Sequence, residues 1–346
     1  MLALQKVHDG EGLELRDVAP PLAPGPGEIA IRIAATGICG TDLGIEKWGA
    51  GYAAMMSTAL PVTLGHETVG RVSAVGAGVT EIAPGDVVVV NPAISCGHCA
   101  PCREGDAVGC LDRRPFGMVL DGAFASQVNV DARYAYRLPG TIPLELGALV
   151  EPLSVGLYAL DVAGFQPGDR VVVFGPGPIG QGAAVLAKQM GAAEVAVVGF
   201  RDAARFATLR ALGIETLIDA SEDGAVDWLK ALSGRGFDVA VEAAGVGAVV
   251  DQALAVLRPR GVLALAGLGE PNAAVNIGLI VRNRLEVRGA SRIPPRIWPQ
   301  VIDLLAADPD AFAPLITHRM PLAEAQEAFA LARSGQSSKI LLIPEE

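Results

Sequence analysis

The stretch RVVVFGPGPIGQGAAVLAKQMG, residues 170–191, decides how the rest of the chain is read. Val171 to Phe174 form a short apolar run that suits a buried strand. Gly175, Gly177 and Gly180 follow as G-x-G-x-x-G, with Pro178 and Ile179 inside the motif, and a helical pattern then runs to a stop at Gly191. In a chain with 42 glycines the motif alone is weak evidence. Set between a strand and a helix it is strong, because the glycines let the backbone approach a pyrophosphate whose charge rests on the helix N-terminus.

Further strand candidates recur with helical patterns between them: EVAVV, TLID, DVAVEAAG, GVLALAG and LEVRGA. Such alternation implies a parallel, doubly wound sheet. Gly267, the last residue of the GVLALAG run, and Leu268 after it are further candidates for cofactor contact. Near Ser291 the pattern changes to the proline-rich RIPPRIWPQ, and the tail reads as helix, strand (ITHRM), helix (322–333) and strand (KILLI).

Upstream, CGHCAPCREGDAVGC (96–110) holds four of the five cysteines as C-x2-C-x2-C-x7-C. Thiolates this close in sequence can converge on one tetrahedral zinc, closed to water and therefore structural. A ferredoxin run would bring its fourth cysteine after three residues and before proline. Here the gap is seven and Leu111 follows. Disulfides between such near neighbours would be strained and a reducing compartment would open them. Cys96, Cys99, Cys102 and Cys110 are therefore expected to hold a structural zinc, with His98 a spacer.

The fifth cysteine, Cys39, lies in TGICGTD (36–42), and His66 and Glu67 lie in LGHETVG (64–70). A lone Cys or His is usually plain core. Farther on, LVEPLSVG (149–156) sets Glu151 in an apolar stretch, costly unless it pairs or binds a cation. One Cys, one His and one carboxylate make three protein ligands for a catalytic zinc whose fourth position stays open.

With these motifs in order, the chain resembles the zinc-dependent medium-chain alcohol dehydrogenases, nearest the sorbitol, threonine and butanediol dehydrogenase branch. The resemblance covers nearly the whole chain. It implies an α/β protein: a GroES-like, mostly-β catalytic domain over 1–153 with its zinc lobe at 91–112, a Rossmann domain over 154–290, and a return to the catalytic domain over 291–346. By the same resemblance Cys39 and His66 hold zinc, and Glu151 is a further ligand or stands behind the metal-bound water. Glu67 matches a residue that ligates zinc directly or exchanges with water. Asp42 matches an acid that orients the histidine, and Thr41 a hydroxyl that passes on the substrate proton. The branch commonly has C-G-T-D-x-H, whereas this chain has Gly44 at the last position. Proton exit through the ribose hydroxyl or through Glu46 must replace that histidine.

The expected activity is hydride transfer between a nicotinamide cofactor and a small secondary alcohol or polyol, or its ketone. Trp48, Tyr52, Met55 and Met56 are candidates for an apolar pocket wall or for plain packing, and Arg292 for substrate contact or a surface ion pair. Two rivals are a zinc-free quinone or enone reductase, which should lack Cys39, His66 and Glu151, and a non-catalytic zinc protein that keeps the fold for binding. For the cofactor, the position where an NAD enzyme carries an acid at the end of its second strand is Gly199, and Arg201 and Arg205 follow, one helical turn apart if the helix has begun, so that the two face one anion. NADP(H) is favoured over NAD(H), with Asp202 the rival ribose acid or a helix N-cap.

The formal charge of −11 argues against nucleic acid or an anionic membrane surface as the main partner. No signal peptide is read in MLALQKVHDGEGLELRDV, and GALVEPLSVGLYALDVAG is broken by Glu, Pro, Gly and Asp before membrane-span length. A cytoplasmic protein is expected, and by resemblance a homodimer or homotetramer contacting through GVLALAG and its neighbours.

Overall fold

The computed structural model describes every residue except 50, 52–55, 57–59, 270, 271 and 346, and the side chains of 226 and 233. Tyr52 and Met55 thus lie outside the described residues. The chain divides into two compact units: Met1–Glu151 with Pro294–Pro309 and Ile316–Glu346, and Pro152–Ile293 with Asp310–Leu315.

The first unit opens with strands β1 (Leu2–Lys6), β2 (Glu14–Asp17), β3 (Glu28–Gly37), β4 (Val62–Thr63), β5 (Glu67–Val75), β6 (Val87–Val90), β7 (Gln127–Asp131) and β8 (Ala135–Arg137). β3 alternates inward Ile29, Ile31 and Ile33 with more exposed neighbours, so one face meets Val72, Val88, Val90, Val128 and Val130 in a dry core. β3 runs antiparallel to β5 in a register that sets Gly37 opposite Glu67.

The second unit is a six-stranded, all-parallel sheet: β9 (Arg170–Phe174), β10 (Glu194–Gly199), β11 (Thr216–Asp219), β12 (Phe237–Glu242), β13 (Leu257–Leu265) and β14 (Glu286–Gly289). Its strand order, β11-β10-β9-β12-β13-β14, reverses between β9 and β12, the switch point at which such sheets bind nucleotides. Residues 261–265 of the GVLALAG run lie in β13, which is flanked on both sides, so the sheet edge falls to its neighbour β14.

The chain then returns to the first unit with β15 (Ile316–Pro321) and β16 (Lys339–Ile343). These extend the large sheet to β15-β16-β3-β5-β6-β8, with β7 also on β3. Met56 and Trp48 belong to the core of this unit rather than to a pocket wall, Met56 fully buried and Trp48 packed with the Lys6 ammonium over its ring. The apolar segment expected to be broken is instead one helical stretch, Leu144–Ala163. It is long and apolar enough to cross a membrane, yet most of it is buried inside the protein. Glu151 and Pro152 fall in the first turn of the helix Val150–Ala163, where an acid is favourable and proline is tolerated.

Candidate active site

Cys39 is the N-cap of the helix Gly40–Glu46, reached directly from β3. Its N–H donates to Asp42 Oδ2 at 2.9 Å, which turns the other oxygen of that buried carboxylate toward His66. Asp42 Oδ1 and His66 Nδ1 stand 3.5 Å apart, and among the described residues neither has another partner. Ligand atoms of Cys39, His66 and Glu67 lie within 4.8 Å of one another. Thr41 follows on the same helix, half-buried.

Glu67 is held from behind. Lys339, the buried first residue of β16, donates to its two oxygens at 2.7 and 2.5 Å and to the Ile38 carbonyl at 2.9 Å. A side chain at Gly37 would collide with this pair, since its Cβ would reach the Glu67 carboxylate and come within 3.0 Å of Lys339 Cδ. Glu151 stands outside the three-atom set but feels its charges. Burial pushes its carboxyl up to about 7, His66 and Lys339 oppose the shift, and Glu67 and Asp42 reinforce it. Burial would lower the His66 pKa, but Asp42 and Cys39 outweigh it and raise the imidazole well above its ordinary value. The cluster carries more negative than positive groups away from water and draws protons in compensation.

The four thiols of residues 96–110 also converge, all within 4.8 Å of one another. Cys96 and Cys102 Sγ are 4.0 Å apart, as are Cys99 and Cys110 Sγ. Backbone N–H groups point at the sulfurs, Cys96 N to Cys110 Sγ at 3.3 Å and Cys99 N to Cys96 Sγ at 3.4 Å. Donors from Leu111 and Cys102 draw the Cys99 thiol down to about 6, while desolvation and Cys99 push Cys102 up to about 12. Four thiolates cannot all ionise here without a cation.

In the second unit the helix Pro178–Gln189 starts from Gly177, its N-terminus at the carboxyl end of β9. Gly175 has φ +100°, and a Cβ there would press on Ala243 and Ala244 after β12, so only glycine fits the turn. Gln181 Nε2 ties the turn by donating to the Pro176 carbonyl at 2.9 Å. Glu242, buried at the end of β12, accepts from Ala244 N at 2.8 Å and Gly245 N at 2.7 Å. Gly267 abuts Gly245 and Glu242, and Leu268 stands exposed beside it. The loops after β9, β12 and β13 thus meet at one end of the sheet.

A family model described as "Alcohol dehydrogenase GroES-like domain" matches residues 25–140, and one described as "Zinc-binding dehydrogenase" matches 178–307. A sorbitol dehydrogenase of Gallus gallus is 35% identical over 97% of this chain and 94% of its own length. An L-threonine 3-dehydrogenase of Idiomarina loihiensis is 32% identical over 99% of both chains. A Sinorhizobium meliloti 1021 protein solved with NADP bound is 31% identical, with a TM-score of 0.89 over 99% of both chains. The chain belongs to the zinc-dependent medium-chain alcohol dehydrogenase family. It is an enzyme, an alcohol or polyol oxidoreductase that uses zinc and a nicotinamide cofactor.

The residues present fit the family's metal. At Zn–S bonds of about 2.3 Å a tetrahedral ion needs sulfurs roughly 3.8 Å apart, close to the spacings in the lobe. In the buried cluster, the Asp42–His66 contact is the arrangement in which a carboxylate orients a metal-bound imidazole through its other nitrogen. The cofactor residues are less simply arranged. Gly199 does end β10, but its smallness has a packing cause too, since a Cβ would lie 2.8 Å from Pro176 and 2.9 Å from Phe206. The helix begins only at Ala203, so Arg201 precedes it with φ +57° and is not one helical turn from Arg205. Asp202 occupies the N-cap position of the helix but its side chain makes no cap bond; it pairs with Arg205 at 3.3 Å and accepts from Phe200 N at 3.0 Å. Arg201 lies over the exposed Phe200 ring.

Glu46 is paired with Arg333 at 2.5 Å. Arg292 is exposed with φ +64°. Two groups were missed from sequence, Lys339 and Glu242. A signal for Lys339 existed: a charge opening the apolar run KILLI is as costly as the carboxylate in LVEPLSVG, and demands a partner.

Proposed function

We propose that this dehydrogenase interconverts a small secondary alcohol or polyol and its ketone, with NADP(H) as the preferred carrier and two zinc sites per chain, Cys39–His66–carboxylate and Cys96–Cys99–Cys102–Cys110. The observation that carries the reading is the Cys39, His66 and Glu67 set, half-buried at the cysteine and buried at the other two, beside Asp42 and Thr41. When bound, the zinc supplies Lewis acidity to the substrate oxygen and the nicotinamide takes or gives the hydride.

The chain's own residues do the positioning. Asp42 fixes the His66 ring through Nδ1. Glu67 already has Lys339 as its cation, so Glu151, half-protonated near neutrality, is the carboxylate whose charge a metal would restore. Thr41, adjacent to Asp42, accepts the substrate proton. Gly44 has no side chain to relay it and Glu46 is paired with Arg333, so the ribose hydroxyl that a bound nicotinamide cofactor would supply is the remaining acceptor.

NADP(H) is favoured because β10 ends without an acid and Arg201 stands two residues beyond, while Asp202 is engaged by Phe200 N–H and Arg205. A panel of alcohols and polyols with each cofactor, followed at the reduced-cofactor absorbance, tests the whole reading. Arg201→Ala should cut the NADP/NAD ratio of kcat/KM by about tenfold, the value of one charged phosphate contact. An unchanged ratio removes Arg201 from the phosphate site. We also propose a homodimer through the exposed edge strand β14 and its Val287. A monomer in sedimentation would refute it.

A further inference from the structure

The four-cysteine lobe has an outer face that its own ligand set does not use. Cys96 Sγ, a ring nitrogen of His98 and a carboxylate oxygen of Asp112 lie within 4.8 Å of one another, so Cys96 belongs to two candidate ligand sets at once. His98 Nδ1 is 2.9 Å from the Cys96 carbonyl. A carbonyl only accepts, so Nδ1 carries the proton and the lone pair is on Nε2, 4.0 Å from Asp112 Oδ2. An imidazole whose other N–H is fixed on a backbone carbonyl is how proteins prepare a histidine to bind metal. Gly97, with φ +74°, makes the bend between Cys96 and His98, and the Asp112 N–H is bonded to Cys110 Sγ, tying the outer acid to the inner ring of sulfurs.

The two sets differ in strength. His98 and Asp112 side chains are 74% and 66% exposed, against a buried or half-buried inner tetrad. Metal–ligand bonds of about 2.1 Å place neighbouring N and O ligands roughly 3.4 Å apart, within reach of the 4.0 Å pair by a small rotation of exposed side chains. A weak, accessible set that shares one sulfur with a strong, closed one suits transfer rather than storage. A tetrahedral site with four protein ligands offers an incoming ion no free position, so exchange needs a group outside that holds the newcomer while one inner bond opens.

We propose that Cys96, His98 and Asp112 form a metal-loading site through which divalent zinc passes into and out of the four-cysteine lobe. The proposal rests on the reading of that lobe as a metal site. The incoming ion bonds to the His98 Nε2 lone pair, the Asp112 carboxylate and a second lone pair of the Cys96 thiolate. As the resident ion's bonds to the other sulfurs break in turn, the newcomer takes them. No proton is consumed in the exchange. On loading of an empty lobe the thiol protons go to solvent.

The test uses the full-length holoprotein in a Cys39→Ser background, so that only the lobe contributes cadmium–thiolate absorption, with cadmium as the probe. The rate of exchange should rise in proportion to cadmium concentration. In a His98→Gln/Asp112→Asn double variant that rate should fall about tenfold, with resident zinc content and zero-cadmium release unchanged. Glu104→Gln, which removes a nearby exposed charge outside the set, should exchange as the parent does. Parent-like exchange in the double variant overturns the proposal. So does a double variant that holds less zinc from the outset, which would make the two residues permanent ligands. A parent lobe with no zinc and no cadmium–thiolate band would instead overturn the four-cysteine reading beneath it.

Discussion

The four thiols of the lobe all come from residues 96–110, three of them half-buried and Cys110 buried, whereas the half-buried Cys39 and the buried His66 and Glu67 come from a helix start and the opening of β5. The lobe meets its own charge with backbone N–H groups. The buried cluster adds Asp42, Glu151 and Lys339, groups that bind, orient or neutralise its ligands. A site that only holds an ion can be built from one short loop. A site that must also leave room for chemistry recruits its surroundings from across the fold.

Cysteine replacement should show this difference most strongly. Cys39→Ser is expected to remove one metal equivalent and lower kcat/KM by about a thousandfold, the several kcal/mol of charge stabilisation a Lewis-acid site contributes. Its fold should be little changed, because Asp42, Lys339 and the β3–β5 pairing remain. Cys102→Ser should remove the other equivalent and open residues 96–113 to proteolysis, while Cys39-site metal stays bound. Elemental analysis and limited proteolysis decide it. Both metals lost together in either variant would erase the contrast.

Next in size is the buried ion pair. Lys339→Met leaves Glu67 in a dry site without its cation, which should cost about 3–5 kcal/mol in denaturant unfolding. Adding Glu67→Gln should recover most of that loss, and Lys339→Arg should fall between. Equal losses in Lys339→Met and the double variant would mean that the lysine packs rather than pairs.

What was legible from sequence follows the same division. The lobe could be read because all its ligands share one loop. The nucleotide fold could be read because Val171 to Phe174, the three glycines and the helix stand in one run, with strands recurring after it. The buried cluster was legible only in its motif-bearing members. Lys339 lies 272 residues from Glu67, and no local pattern links them until β16 pairs with β3. The apolar stretch around Glu151 misled for a related reason: glutamate and proline break a hydropathy run without breaking a helix when they fall in its first turn. Arg201 and Arg205 misled because their relation depended on where the helix began, and it begins after the first of them.

A smaller effect separates the two sites by pH. In the metal-free protein the Glu151 carboxyl, raised to about 7, binds its proton more tightly folded than unfolded, where it titrates near 4.3. The stabilisation from that proton is complete below the unfolded value and is lost as pH rises through about 7. The metal-free melting temperature should therefore drop by about 5 °C between pH 5 and pH 8, the shift that 1–2 kcal/mol produces in a unit of this size. Glu151→Gln should flatten the drop, and zinc should abolish it. A metal-free melting temperature that rises over this range would show that the cluster is not short of positive charge.

The smallest effect tests a buried charge that needs no metal. Asp238, in β12, accepts from Arg170 N at 2.8 Å and pairs with Arg258, with Arg235 at 3.9 Å. Burial would raise its carboxyl, but these donors hold it below the usual carboxylate range. Here positive groups are in excess, the reverse of the Cys39 cluster, so the sign of the pH dependence reverses as well. A depressed folded-state pKa stabilises above the unfolded value near 3.9 and loses that stabilisation as pH falls through the folded value. Asp238→Asn should cost about 1–2 kcal/mol at pH 7, the net worth of hydrogen bonds to a charged group, and the gap to the parent should close as pH falls through the folded value. Chelators should leave the gap untouched. A gap that persists unchanged into acid would mean that shape, not charge, holds Asp238, and a gap that widens with chelation would tie this strand to the metal sites after all.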